Sequence, residues 1–250
     1  MDPSFPVRTL IAVEEVDSLS VPDLSDYFNP FLQHFMKEAL RAGGEAVVSL
    51  DGGEVNGIFT FDVVEKVGSI FARDRWVAEG LFRRRDRLAI FSDFSFAPGA
   101  EAYQIFSVEL SGPDVPHRFV HRVRVADESD RTPILRLIRE MYGPTEESWL
   151  RSIPRAEEPC FLVEVGDQLA GVGWASVVNG HGRLHALSVG PRYRRMGVGT
   201  DLWHARMMWI RGAGARRVIC EIAEHNAPSR SIAVAGGMRP VGTIFLSHRP

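Results

Sequence analysis

Two glycines and three arginines share one short stretch, Arg192-Tyr193-Arg194-Arg195-Met196-Gly197-Val198-Gly199. Their chemistry is that of an anion site. Gly197 and Gly199 have no side chain, so backbone N–H groups there can approach a ligand closely, and Arg192, Arg194 and Arg195 add positive charge. If a helix starts here, its free N–H groups and positive dipole end point into the same space, and the three features together suit a pyrophosphate. Of two familiar phosphate loops, one is excluded and the other fits poorly. A Walker A loop needs Gly-Lys-Ser/Thr, which is absent. A dinucleotide fingerprint needs a third glycine where Leu202 stands, and it turns straight off its strand, whereas Val189 and Gly197 lie well apart.

The elements around the loop must hold it in place. Residues 184–189 read as a strand entering it. Residues 200–211 read as a helix leaving it: Val198, Leu202, Ala205 and Trp209 form one stripe, widened by Trp203, Met207 and Ile210 as for a helix lying flat on a sheet. Residues 218–223 are the next strand, 229–235 a short helix and 241–247 a last strand. Upstream, 119–125 alternate as a strand. Thr132 with Pro133 predicts a helix start, and Ile134, Leu135, Leu137, Ile138, Met141 and Tyr142 give that helix one apolar face. A second short helix is expected over 145–151, and 160–165 with 169–178 form a hairpin.

This order, with Arg194-Arg195-Met196-Gly197-Val198-Gly199 matching Gln/Arg-x-x-Gly-x-Gly/Ala after a strand that ends Val-x-Pro, resembles the GNAT superfamily of N-acetyltransferases. Asn226 after the next strand and Gly236-Gly237-Met238 beyond it fit the same pattern. The resemblance implies an α+β fold over 118–250: a GNAT-type mixed sheet flanked by helices, with the strands at 184–189 and 218–223 splayed apart. It implies acetyl-coenzyme A as co-substrate and no metal. Leu187, Ser188 and Val189 would contact the pantetheine and acetyl group. Arg194, Arg195, Met196, Gly197, Val198, Gly199 and Thr200 would hold the pyrophosphate, and Asn226 would bond the coenzyme. Glu221 stands where some relatives carry a carboxylate base, and His185 is a second base candidate on the facing strand. The family's usual acid is a Tyr where this chain has Ala233.

The first half contains no comparable glycine loop. A strand over 9–13, a helix over 28–41, a hairpin through Asp51-Gly52-Gly53-Glu54, a helix over 65–85 and strands at 88–91 and 103–110 predict a second α+β domain, a degenerate GNAT-like one or an unrelated one. The Gly/Pro-marked stretch 111–117 predicts domains at 1–115 and 118–250. Formal net charge is −3, so bulk attraction to nucleic acid or an acidic membrane is not expected. Cys160 and Cys220 each lie in an apolar strand-like run and read as buried reduced thiols. With no apolar stretch long enough to span a bilayer and no signal-peptide pattern, a cytoplasmic protein is expected. The expected activity is acetyl transfer to a small-molecule or protein amine. The alternatives are a catalytically inactive coenzyme A-binding sensor or interaction module, and a dinucleotide oxidoreductase.

Overall fold

The computed structural model describes residues 7–10, 12–62, 67–83, 89–112, 116–143 and 157–248. The chain forms two compact units, Met1–Gln104 with Gly242–Pro250, and Ile105–Val241.

The first unit contains β1 (Val7–Leu10), α1 (Val13–Asp17), α2 (Leu32–Arg41), β2 (Glu45–Asp51), β3 (Glu54–Asp62), β4 (Val67–Ala72), α3 (Arg75–Arg83) and β5 (Ala89–Ser92). The predicted hairpin is β2–β3, paired from Glu45↔Phe61 to Asp51↔Glu54. Val47, Phe59, Ile70 and Ile90 of the sheet bury against Val77, Ala78 and Leu81 of α3. The helix expected over 65–85 is instead β4 followed by α3. Ile70 and Phe71 answer to helical spacing, but β4 finds β3 antiparallel on one side and β5 parallel on the other, and two ladders outweigh a weak local preference. The strand expected over 9–13 ends at Leu10, and Val13 already opens α1. β4 and β5 pair from Val67↔Ala89 to Ile70↔Ser92, the whole length of β5. The junction from β4 to α3 carries a carboxylate: Asp74 Oδ1 accepts from the Val77 N–H at 3.0 Å.

The second unit contains β6 (Glu101–Glu109) from Ile105 onward, β7 (Val123–Val125), α4 (Arg131–Tyr142), β8 (Cys160–Val165), β9 (Gln168–Val178), β10 (His181–Val189), α5 (Val198–Gly212), β11 (Arg217–Ala223) and α6 (Ala227–Ala235). The strands run in the order β6-β11-β10-β9-β8-β7, a mixed sheet with helices on both faces. Leu184, Val218, Cys220 and Ile222 face α5, whose Leu202, Trp203, Met207 and Ile210 cover them. Leu162, Val172 and Trp174 face the other way, under Ile134, Leu135 and Ile138 of α4. The start of α4 is set by Asp127, not Thr132. The Asp127 carboxylate accepts from the Ser129 N–H at 2.8 Å, and its N–H donates to Asp130 at 2.9 Å, so a 3-10 turn over Glu128–Asp130 leads into the helix. The helix expected over 145–151 lies outside the described residues.

The division into units differs from the expected 1–115 and 118–250. From Ile105 onward β6 belongs with the second unit, where the Leu110 N–H donates to Arg216 O at 2.7 Å. The last strand, β12 (Arg239–His248), crosses from the second unit at Gly242 and pairs antiparallel with β5, Phe245↔Ser92 to His248↔Ala89. Both cysteines are buried free thiols. No helix among the described residues is long and apolar enough to cross a membrane.

Candidate active site

The site grows from an irregularity in β10. Its register on β9 runs to His185↔Trp174 and resumes at Ser188↔Val172, so Ala186 and Leu187 stand opposite Gly173 alone. This is a β-bulge, and it turns Ala186 into the left-handed region at φ 51°. On its other edge β10 pairs with β11 in parallel over His181↔Arg217, Gly182↔Val218 and Arg183↔Ile219. Among the described residues no pair of these strands follows, so their ladder ends at Arg183, ahead of the bulge. Leu187, Ser188 and Val189 lie on the parted segment.

Beyond β10, Pro191–Tyr193 form a 3-10 turn. Arg195 (φ 64°) and Gly197 (φ 90°) are both left-handed, a conformation glycine takes without strain and arginine does not. Gly197 is the N-cap of α5, which begins at Val198 rather than Thr200, and the first helical bond runs from the Asp201 N–H to Gly197 O at 2.9 Å. The N–H groups of Val198, Gly199 and Thr200 therefore precede the helix's own bonding pattern. Arg194, Arg195 and Met196 are exposed. Arg194 Nε reaches Val189 O at 3.5 Å. A Cβ on Gly199 would lie 3.1 Å from Ile232 Cδ1 and 3.6 Å from Val189 Cγ2, so the end of β10, the start of α5 and the body of α6 converge there. Asn226 caps α6, its Oδ1 accepting from the Ser229 N–H at 3.3 Å, which leaves the NH₂ end of the amide to carry the side chain's donors.

The acid–base candidates fall around the parting strands. Glu221 accepts from Arg183 Nε at 3.0 Å and 3.3 Å through its two oxygens. His185 Nε2 lies 3.0 Å from Glu158 Oε1, off the axis of a good hydrogen bond. Ala233 is fully buried in the core with Trp203 and Met238, so a ring at that position would meet packed side chains. A phenol does reach the bulge from elsewhere: Tyr142, at the end of α4, has its hydroxyl 3.1 Å from Ser188 Oγ. Its place in the apolar face of the predicted helix hid this role.

Sequence reasoning also missed a buried carboxylate beside the loop. The strand expected over 119–125 is only Val123–Val125, because the residues before it fold onto Asp201. That carboxylate accepts from His117 Nε2 (2.7 Å), His121 Nδ1 (2.9 Å), and the N–H groups of His121 (2.8 Å) and Val120 (3.3 Å). Burial opposes its charge, but bonds from both histidines and both amides outweigh that and hold it below the usual carboxylate range. His204 stacks on His117 with ring centres 3.8 Å apart. A Cβ on Gly197 would lie 3.6 Å from Val120 Cγ2, so this clasp flanks the loop directly. Two signals were legible: an Asp on the apolar stripe between Val198 and Ala205, and a His pair four residues apart. Among the described residues no group of three or more His, Cys, Asp or Glu is placed to hold a metal ion.

Comparison with known proteins agrees with this fold. The acetyltransferase (GNAT) family model matches residues 118–234. YobR of Bacillus subtilis strain 168, named an uncharacterized N-acetyltransferase, is 25% identical over 105 residues, 41% of this chain and 42% of YobR. The match thus spans less than half of that relative's length. Among solved structures, a tandem GNAT protein of the clavulanic acid biosynthesis pathway superposes with TM-score 0.61 at 16% identity, covering 97% of this chain and 98% of that one. An acetyltransferase of the GNAT family from Colwellia psychrerythraea gives 0.61 at 13% identity over 98% and 100%. A GCN5-related N-acetyltransferase from Sphaerobacter thermophilus gives 0.58 at 12% over 98% and 96%. At these identities the likeness is one of fold.

Proposed function

We propose, because residues 118–234 belong to the GNAT acetyltransferase family, that this chain moves an acetyl group from acetyl-coenzyme A to an amine. The observation that carries the reading is the run from a bulged β10, parted from β11, through Gly197 to the open N-terminus of α5. Backbone groups on 187–189 would line the pantetheine and acetyl group, the amides of Val198, Gly199 and Thr200 with Arg194 and Arg195 would face the pyrophosphate, and Asn226 would donate to the coenzyme. The first unit is assigned no coenzyme: its β4–β5 pair stays closed along β5, and the Asp74 carboxylate at the start of α3 would repel a phosphate. It is assigned to the acceptor or to support of the fold.

In the reaction the amine nitrogen loses a proton, attacks the acetyl carbon and displaces the thiolate, which takes a proton back. Of the two base candidates, Glu221 must give up an Arg183 bond to accept a proton. His185 has no such loss, and Glu158 stands 3.0 Å from its Nε2 to receive the imidazolium that forms. His185 is therefore assigned as the base, and Tyr142 as the proton donor that Ala233 does not supply. A backbone N–H freed by the parting of β10 would polarise the acetyl oxygen.

The test is calorimetry with acetyl-coenzyme A, followed by thiol release over a panel of amino acids, small amines and peptides. His185→Gln is expected to lower kcat on the order of 10²-fold, with coenzyme affinity within about twofold of wild type and the acidic limb of the pH–rate profile lost. Full activity in that variant with loss in Glu221→Gln would return the base to Glu221. Tyr142→Phe is expected to lower kcat at least roughly tenfold and flatten the basic limb. A change confined to the acceptor KM would make Tyr142 a wall of the acceptor site. Tight coenzyme binding with no turnover on any amine would favour the sensor reading, which the buried Ala233 also suits.

A further inference from the structure

Arg206 lies in the middle of α5, where the apolar stripe leads one to expect a residue such as Leu or Met, and its side chain is fully buried. Burying a guanidinium is costly unless every donor is used. Its partners are carbonyls. Nε donates to Leu202 O at 3.1 Å, one turn back in the helix. Nη1 donates to Trp174 O at 3.2 Å and to His185 O at 3.3 Å. The last two residues are not arbitrary, because His185↔Trp174 is the final regular pair before the β10 bulge. A bulge interrupts the regular ladder from that pair onward. A single nitrogen of Arg206 serves both carbonyls.

The strand opposite the bulge is cut to fit. Gly173 is the one β9 residue facing Ala186 and Leu187, and a Cβ there would stand 3.0 Å from Arg206 Cζ and 3.1 Å from Nε and Nη1. The guanidinium fills the room that the missing side chain leaves. Burial pushes the Arg206 pKa down to about 10, so the group stays charged through neutral pH and makes a permanent brace.

We propose that Arg206 is a positioning residue for the acyl-donor site. Bonded to the carbonyls of Trp174 and His185 and seated against Gly173, it fixes the bulge, and with it the backbone of residues 186–189 that would receive the acetyl arm. The proposal rests on the acetyl-coenzyme A reading for its functional half and on geometry alone for its structural half.

The experiment compares the full chain with Arg206→Met, Arg206→Lys and Gly173→Ala, using thermal unfolding, amide hydrogen exchange and calorimetry with acetyl-coenzyme A. In Arg206→Met the amides of 186–189 are expected to exchange at least about tenfold faster while those of β8 keep their wild-type rates, and coenzyme affinity is expected to fall roughly tenfold. Arg206→Lys keeps the charge on a shorter side chain with a single donor nitrogen, and is expected between wild type and Arg206→Met. Gly173→Ala displaces the guanidinium and should shift exchange and affinity the same way without touching the arginine. If Arg206→Met does not fold, Gly173→Ala and Arg206→Lys carry the comparison. Wild-type exchange at 186–189 in folded Arg206→Met or in Gly173→Ala overturns the brace. Faster exchange with unchanged affinity overturns its functional half. A wild-type chain that binds no acetyl-coenzyme A overturns the donor reading, and the exchange data still decide the brace.

Discussion

Gly197→Glu is expected to abolish acetyl-coenzyme A binding, with a loss of at least about 100-fold in affinity. Two effects add. The carboxylate would sit at the N-terminus of α5, where the amides of Val198, Gly199 and Thr200 and the helix dipole otherwise favour a phosphate, and it would compete for those donors and repel the ligand. The backbone at Gly197 has φ 90°, where any side chain adds strain of about 1–2 kcal/mol. Space is not the obstacle, since a Cβ there meets only Val120 and His121 at 3.6 Å or more. Gly197→Ala carries the same strain without the charge and is the control: it should bind more weakly than wild type but far better than Gly197→Glu. Arg195→Ala should cost only roughly fivefold, because an exposed guanidinium adds less than fixed backbone donors. Calorimetry on the folded variants decides it. Affinity in Gly197→Glu equal to that in Gly197→Ala would remove the helix terminus from the donor site.

Asp201→Ala is expected to cost roughly 3–5 kcal/mol of stability, the range for breaking a buried charged network from one side. The carboxylate is buried and accepts four bonds. Without it, two imidazoles and two amides lose their acceptor at once. For a chain of this size that corresponds to a fall of about 10 °C in the melting transition of the second unit. The sign of the pH dependence is fixed by the direction of the shift. The folded-state pKa of Asp201 lies below its unfolded value, so the group contributes stability that is present above the unfolded pKa of about 4 and disappears as pH falls through the folded one. The gap in melting temperature between wild type and Asp201→Asn should accordingly be widest near neutral pH and close below about pH 4. A gap that stays constant down to pH 3 would show that shape, not charge, is what Asp201 provides. Burial, and then the neighbouring His117, keep the His204 imidazole below its usual range, which favours a neutral ring in the stack on His117.

The loop's geometry, a glycine N-cap opening a helix after a strand, was legible because its signals are local. A strand, two glycines, a run of arginines and a helix start lie within one short stretch, and each announces itself by residue type. The buried charged residues near the loop were not legible, since their partners are distant in the chain. Asp201 meets His117 across 84 positions and His121 across 80, and Arg206 meets Trp174 across 32. The Arg183 pairing of Glu221 was hidden in the same way: a carboxylate on a strand looks alike whether it faces solvent or an arginine. In the first unit, Val67–Ala72 has helical spacing by accident, and only the two strands beside it make it a strand. The crossing of β12 left no mark in the sequence, because its apolar residues, Val241, Ile244, Phe245 and Leu246, suit a strand in either unit.

That crossing has a consequence for synthesis on the ribosome. Phe96 N–H donates to Ser247 Oγ across 151 residues of chain, and β5 meets β12 only after all of the second unit has been translated. At about 5–20 residues per second the nascent first unit waits on the order of 10 s with one side of β5 unpaired. An unpaired strand carrying Ile90 and Phe91 is a template for pairing with a neighbouring chain. The first half therefore finishes last, and early termination of translation harms the part that was made first.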